Sequence, residues 1–399
     1  MDRTRYRDAL IVPEFRALFA AYSVSLLGTI VATVALTVLV YARTGSSALA
    51  ALTFTLMFVP YLLGGGLLNA LVDRQPPRRL MVVCDLGSAA LIAVMALPAI
   101  PVGAMLALLT LVSVLAPISA GARNALLPTI VGTEAYVPAR SLFRLVAQSG
   151  QVVGNALGGL LLVIVAARHA LLIDAAGFVA SALLVRFGTR AREPMNATAS
   201  TTLLSDSLTG IRDVFAHTTI RRLLLLGWTV PMCSVAPEAL AAPYVDALGR
   251  PAAAVGWWLV MLPAGTVVGE VIGVTRMTQT TQRRLVGTLA ALTLLPQLAF
   301  LAAPGFAAAL ALLFLSGLGS AYVLGLDGLV LDAAPDGLRG RVLSLNTTGL
   351  MTLQGLGFGL AGVAAEALPL HVVVASSAAL GLIAVLRLSP RRTRLTAAA

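Results

Sequence analysis

The chain has 399 residues, of which 58% are hydrophobic and only 11% charged, with a formal net charge of +11 and a mean hydropathy of +0.92. A soluble domain carries about a quarter charged residues, so the composition excludes an ordinary soluble globular protein. All 28 basic residues are arginine, which excludes a phosphate-binding loop of the form GxxxxGK[ST] and a nucleotide-driven motor built on one.

Twelve apolar runs follow in order, at 15–41, 47–72, 80–98, 102–126, 139–166, 169–187, 220–247, 251–275, 285–303, 306–332, 342–367 and 369–387. A helix needs about twenty residues to cross the hydrocarbon core. Only helices and closed barrels satisfy their backbone in lipid, and runs of this length exclude strands. The fold class is therefore an all-α membrane protein with twelve transmembrane helices. The start "MDRTRYRD" is charged, but the run after Phe15 is too long for a cleavable signal core. The expected organisation is a 1–14 N-terminal segment, a 15–187 six-helix bundle, a 188–219 linker, a 220–387 six-helix bundle and a 388–399 tail, with no soluble domain at either end.

Run 1 carries Ser25, Thr29, Thr33 and Thr37 at spacings of four. Such hydroxyls either bond their own helix carbonyls or line a polar cavity. After run 2 comes "NALVDRQPPRRLM", with Asn69, Asp73, Arg74, Arg78 and Arg79, which reads as a solvated turn around Pro76 and Pro77 or as a working part. Asp85 in run 3 and Arg123 in run 4 sit near the same ends of neighbouring helices and read as a structural ion pair.

Run 5 has two faces. Arg144, Gln148, Gln151 and Asn155 form one polar stripe, costly in mid-membrane unless it meets protein or water. Gly150, Gly154 and Gly158, continued by Gly159, form a ridge that admits a second helix closely. In run 6, Asp174 reads as structural. Run 7 carries Trp228, Met232 and Glu238 and is broken by Pro231, Pro237 and Pro243; Trp257 and Trp258 follow in run 8. Glu270 and Asp327 lie in the inner parts of runs 8 and 10, and Arg339 and Arg341 open run 11.

The arginines are concentrated at the termini and in alternate connections; the opposite connections hold only Arg43, Arg168 and Arg250. Arginine-rich short loops stay cytoplasmic, so both termini are expected in the cytoplasm, and the basic charge is a topology signal with no nucleic-acid partner implied. Cys84 and Cys233 lie in apolar surroundings, and His169, His217 and His371 are scattered, so neither a metal nor a cofactor is expected.

The chain repeats itself. Pro60 and Pro263, Gly66 and Gly269, Gln151 and Gln354, Gly154 and Gly357, and Gly159 and Gly362 each differ by 203 positions, and "QVVGNALGG" returns as "QGLGFGLAG". A six-plus-six parallel repeat is the arrangement of transporters that rock two bundles about a midplane site.

Over 15–387 the chain resembles the major facilitator superfamily. "DRQPPRRLM" is similar to that superfamily's loop signature GxxxDRxGRR, and "GQVVGNALGG" to the antiporter signature GxxxGPxxGG. "GARNALLP", "LLIDAAGF" and "PDGLRGRV" resemble more narrowly the macrolide-efflux and enterobactin-export branch of bacterial drug–proton antiporters. Asn69 and Asn155 depart from the glycine and proline of the two signatures.

The resemblance implies a monomeric transporter, not an enzyme, in the cell membrane, exporting small amphiphilic molecules (a drug, antibiotic, siderophore or secondary metabolite) by proton-coupled alternating access. A nutrient importer of the same fold is the alternative. A membrane-embedded enzyme is disfavoured because no His-Asp or Cys-His cluster appears. It also implies a cytoplasmic gate at Asn69, Asp73, Arg74, Arg78, Arg79, Arg339 and Arg341, and packing and switching by the glycines of run 5 and Asn155. Ser25, Thr29, Thr33, Thr37, Gln148, Gln151, Trp228 and Met232 are the expected substrate-cavity residues. Proton coupling is expected at Asp327, then Glu270, then Glu238, with Arg144 pairing an acid when the inside is closed.

Overall fold

The computed structural model describes residues 10–62, 75–192, 214–335 and 338–389. All twelve apolar runs are helical where described: α1 Pro13–Thr44, α2 Ser47–Leu62, α3 Pro77–Met95, α4 Val102–Gly132, α5 Ala139–Ile164 and α6 Ala167–Gly188. The second series is α7, in three pieces Thr218–Ser234, Ala236–Ala239 and Ala241–Ala247; α8 Ala254–Arg276; α9 Gln279–Leu298; α10, in two pieces Phe306–Gly319 and Tyr322–Ala333; α11 Arg339–Ala364; and α12 Leu370–Leu388. Among the described residues, 8 helices, or 9 counting the bent α7 as one span, are long and apolar enough to cross a membrane. The others are helical too, but α2 is described only to Leu62, while α3 and α11 carry polar side chains.

Local chemistry explains the ends. Pro76 and Pro77 start α3, where a missing N–H costs nothing. Gly45, at φ +65, turns the chain between α1 and α2, and Gly132, at φ +72, interrupts an otherwise continuous helix from Val102 to Ile164. The 127–138 connection expected from the sequence is thus helical on both sides of one glycine. Large apolar side chains such as Phe187 and Leu386 stand about four-fifths exposed, as on a surface that meets lipid.

The chain divides into two compact units, residues 1–43 with 59–201 and residues 44–58 with 202–399. The first part of α2, residues 47–58, falls in the second of these units.

In the first unit, α1 packs closely on both α5 and α6. A Cβ on Gly150 would lie 3.0 Å from the Leu26 side chain, one on Gly154 2.8 Å from Ile30 and one on Gly158 3.1 Å from Val34, so α1 lies on the glycine ridge of α5. In lipid there is little hydrophobic drive between helices, and such close approach supplies the packing. Phe15, Phe19, Tyr22 and Phe143 form an aromatic knot with Arg123 4.1 Å above the Tyr22 ring. Glu14 joins the start of α1 to Arg192, beyond the end of α6, at 2.8 Å.

The second unit repeats this device. Gly349 of α11 accommodates Trp228 of α7, whose Nε1 donates to the Asn346 carbonyl at 3.0 Å, and Gly357 of α11 meets the Met232 carbonyl of α7. Gly357 is the repeat mate of Gly154, so the two ridges pack the repeat-related helices α1 and α7. Gly265 of α8 and Gly317 of α10 bring those two backbones together, each glycine facing a carbonyl of the other helix. On its other side α11 takes the first part of α2: Phe358 stacks on Phe54 and Phe58, and Gly362 meets Ala51.

Candidate functional site

The candidate site arises where α7 breaks. Proline lacks an N–H, so Pro231, Pro237 and Pro243 leave carbonyls one turn back without helix partners. Pieces of α7 on either side of Leu240 are bent by 43°. Neighbouring side chains take up carbonyls around the break. Ser377 Oγ of α12 donates to the Cys233 carbonyl at 2.9 Å, which Pro237 would otherwise have bonded. Gln297 Nε2 of α9 donates to the Ser234 carbonyl at 3.1 Å, and Trp258 Nε1 of α8 to the Pro237 carbonyl at 2.8 Å. A broken helix persists in a membrane when neighbours satisfy the backbone in this way.

The break holds open a cavity of about 150 Å³ among α7, α8, α9, α10 and α11. Its polar lining is Glu238 and Ser234 from α7, Thr293 from α9, Ser320 and Tyr322 at the interruption of α10, and Gln354 from α11; the remainder is apolar, including Val230 and Leu262. Tyr322 is 2% exposed, and its hydroxyl has no hydrogen-bond partner among the described residues. Asp327 lies five residues further along α10. The volume decides what the cavity can do. A water occupies about 30 Å³ and a drug-sized ligand needs about 300–1,000 Å³. The cavity therefore suits a proton and a few waters, not a bulky substrate. Among the described residues, no group of three His, Cys, Asp or Glu side chains is disposed to hold a metal ion.

The model of the Major Facilitator Superfamily matches residues 18–249, more than half of the chain. The chain belongs to the major facilitator superfamily. The multidrug efflux pump Tap of Mycolicibacterium fortuitum is 27% identical over 379 residues, covering 90% of each chain. The pump of the same name from Mycobacterium tuberculosis (strain ATCC 25618 / H37Rv) is 26% identical over 374 residues, covering 90% of this chain and 88% of that one. Among solved structures, a variant of the nucleoside transporter NupG superposes with a TM-score of 0.77 at 12% identity, covering 94% of this chain and 98% of the other. A bacterial homologue of the iron transporter ferroportin, in its inward-facing state, gives 0.71 at 17% identity, covering 95% and 99%. At such identities the structural likeness speaks for the fold alone. The protein is a multi-pass membrane transporter of the superfamily and not an enzyme.

The fold of this facilitator corrects several residue assignments made from sequence. Asp85 and Arg123 do not form a contact ion pair. Asp85 accepts from Ser181 at 2.7 Å and Ser119 at 3.5 Å, while Arg123 spends its charge on the faces of Tyr22 and Phe143. Helix spacing put the acid and base at similar depth but could not reveal the serine of α6. Thr37 is fully buried, and its hydroxyl donates to Thr33, as Thr33 does to Thr29 and Ser25 to Tyr22. Thr37 lines no open space, because its helix is hemmed in by packing. Trp228 is 6% exposed and packed on α11, so it serves as a strut of the second unit rather than as cavity wall.

Other assignments fall elsewhere. Thr29 and Met232 are half-buried, Gln151 is exposed, and Asn155 and Gly159 are buried in α5. Arg78 donates to the Arg186 carbonyl at the end of α6, and Arg79 is exposed. Asp327 and Glu270 are half-buried and stand outside the lining of the cavity. Asn69, Asp73, Arg74 and most of the 188–219 linker lie outside the described residues, as do the side chains of Arg144, Gln148, Arg339 and Arg341. Tyr322 was missed because a lone tyrosine in an apolar run carries no periodic signal; the three prolines of α7 were the legible sign of the site.

Proposed function

We propose that this transporter exports small amphiphilic molecules by proton-coupled alternating access, with Glu238 ahead of Asp327 and Glu270 as the carboxyl that carries the proton. The similarity to pumps named for multidrug efflux supports the substrate class and the direction. The observation that carries the coupling is the small cavity at the α7 break, where a carboxyl, a phenol and an amide face a space sized for water. An acid in an apolar setting prefers to hold a proton, and a change in hydration or partner releases it. The arginine pattern supports cytoplasmic termini and linker, and the protein works as a monomer.

Uptake of a panel of fluorescent amphiphiles into inverted membrane vesicles tests the reading. Export appears as accumulation inside vesicles whose lumen is acid, abolished by a protonophore. Accumulation unaffected by the protonophore removes the coupling. Accumulation only in right-side-out vesicles makes the protein an importer.

A further inference from the structure

The first unit holds a carboxyl that the foregoing leaves unused. Asp174 lies on α6, two turns in from its start at Ala167, and is 2% exposed. Its Oδ1 is buried without a hydrogen-bond partner among the described residues. It sits against α1 at Gly28, where a Cβ would lie 2.5 Å from Oδ1. One turn further in, Gly177 faces Val24, and near its end Gly188 faces Ala17, so the α1–α6 seam runs along small residues.

Among the described residues, the charged groups on the helices around this carboxyl are engaged elsewhere or distant along the chain. On α3, Asp85 is held by Ser181 and Ser119, and Cys84 is buried in the core. On α1, Tyr22 lies under Arg123 of α4, and Arg43 donates to the Ile100 carbonyl. Residues 150–164 of α5 carry no titratable side chain. On α6 itself, Arg168 donates to the Pro98 carbonyl, His169 is five residues away, and Arg186 is twelve. Asp85 supplies the contrast within the same unit, since its carboxyl accepts hydrogen bonds from two serines.

From this geometry we infer that Asp174 is a proton-binding site of the first unit, loaded while α1 lies against α6 at Gly28 and unloaded when the seam opens to water. The physical basis is that an ionised carboxylate without partner or water is strongly disfavoured in a dry interior, and takes a proton instead. Opening at Gly28 supplies the water that stabilises the charged form. As a coupling site the inference rests on the proton-driven reading above; as a protonation site it stands alone.

Infrared difference spectroscopy of the purified full chain, titrated with acid and base, reads carboxyl protonation directly. Wild-type protein is expected to show a carboxylic-acid carbonyl band assigned to a buried acid. Asp174→Asn should lose one component of that band, and Asp85→Asn should keep it. Gly28→Ala, which crowds Oδ1 but keeps the carboxyl, should shift the titration without reducing the band area, so the test survives if Asp174→Asn fails to fold. Superposable titrations of wild type, Asp174→Asn and Gly28→Ala overturn the inference. Loss of the component in Asp174→Asn, together with vesicle transport of the dye panel that ignores a protonophore, leaves the site standing and removes only the coupling.

Discussion

The Glu366 carboxylate accepts the Ala48 backbone N–H at 2.8 Å, so the turn after α11 caps the first turn of α2. Ser46 Oγ donates to the same oxygen at 2.8 Å and accepts the Leu49 N–H at 3.1 Å. The pair acts like a capping box whose acid comes from 318 residues away in sequence. These bonds, the Ala48 amide first, hold the Glu366 carboxyl below the usual carboxylate range. A depressed value means that the cap contributes fully above the ordinary carboxylate range and is lost as pH falls through the lowered one. Glu366→Gln should lower thermal stability slightly, by at most about 1 kcal/mol, and flatten its loss between mildly and strongly acid pH. Identical acid melting profiles for wild type and variant would show that the cap contributes nothing.

Glu238→Gln and Asp327→Asn separate the two leading acids. Glu238→Gln should bind dye but lose stimulation by a pH gradient, a loss of about tenfold or more if proton transfer is limiting. Asp327→Asn should keep the stimulation. The reverse pattern in vesicles returns the proton to α10.

Glycines of the two units differ sharply in what surrounds them. A Cβ at Gly317 would lie 2.1 Å from the Leu262 carbonyl, which belongs to backbone and cannot swing away. Gly317→Ala should cost about 1–3 kcal/mol, seen as a drop in melting temperature and in folded yield. Gly103, on α4 of the first unit, has nothing within 4 Å of such a Cβ, and Gly103→Ala should stay within about 0.5 kcal/mol of wild type.

The remaining expectations concern the cytoplasmic side. Thr198→Cys in the linker should resist an impermeant thiol reagent applied to intact cells and react after permeabilisation. Efficient labelling from outside would invert the proposed topology.

Asp73→Asn should cripple export while the protein still reaches the membrane, because the amide loses the charge proposed to keep the cytoplasmic side closed. Near-normal export makes Asp73 a turn residue.

Helix number, the repeat and the α5 ridge were legible in the sequence because they depend on local properties. Spans follow from run length against bilayer thickness, and the spacing of Gly150, Gly154 and Gly158 prescribes a face whatever lies on it. The prolines of α7 announced a break for the same reason. What faces what depends on other helices, and no spacing encodes it. Asp85 and Arg123 share a depth, yet Ser181 takes the acid and Tyr22 the base. Thr37 and Trp228 looked like cavity wall until their neighbours closed over them. Tyr322 and Asp174 stand out because the Tyr322 hydroxyl and Asp174 Oδ1 have no hydrogen-bond partner among the described residues, a property of the folded chain alone. The sequence by itself determined which elements form and how small their faces are; tertiary structure decided which polar groups found partners, since that choice is made by side chains far apart in the chain and close in space.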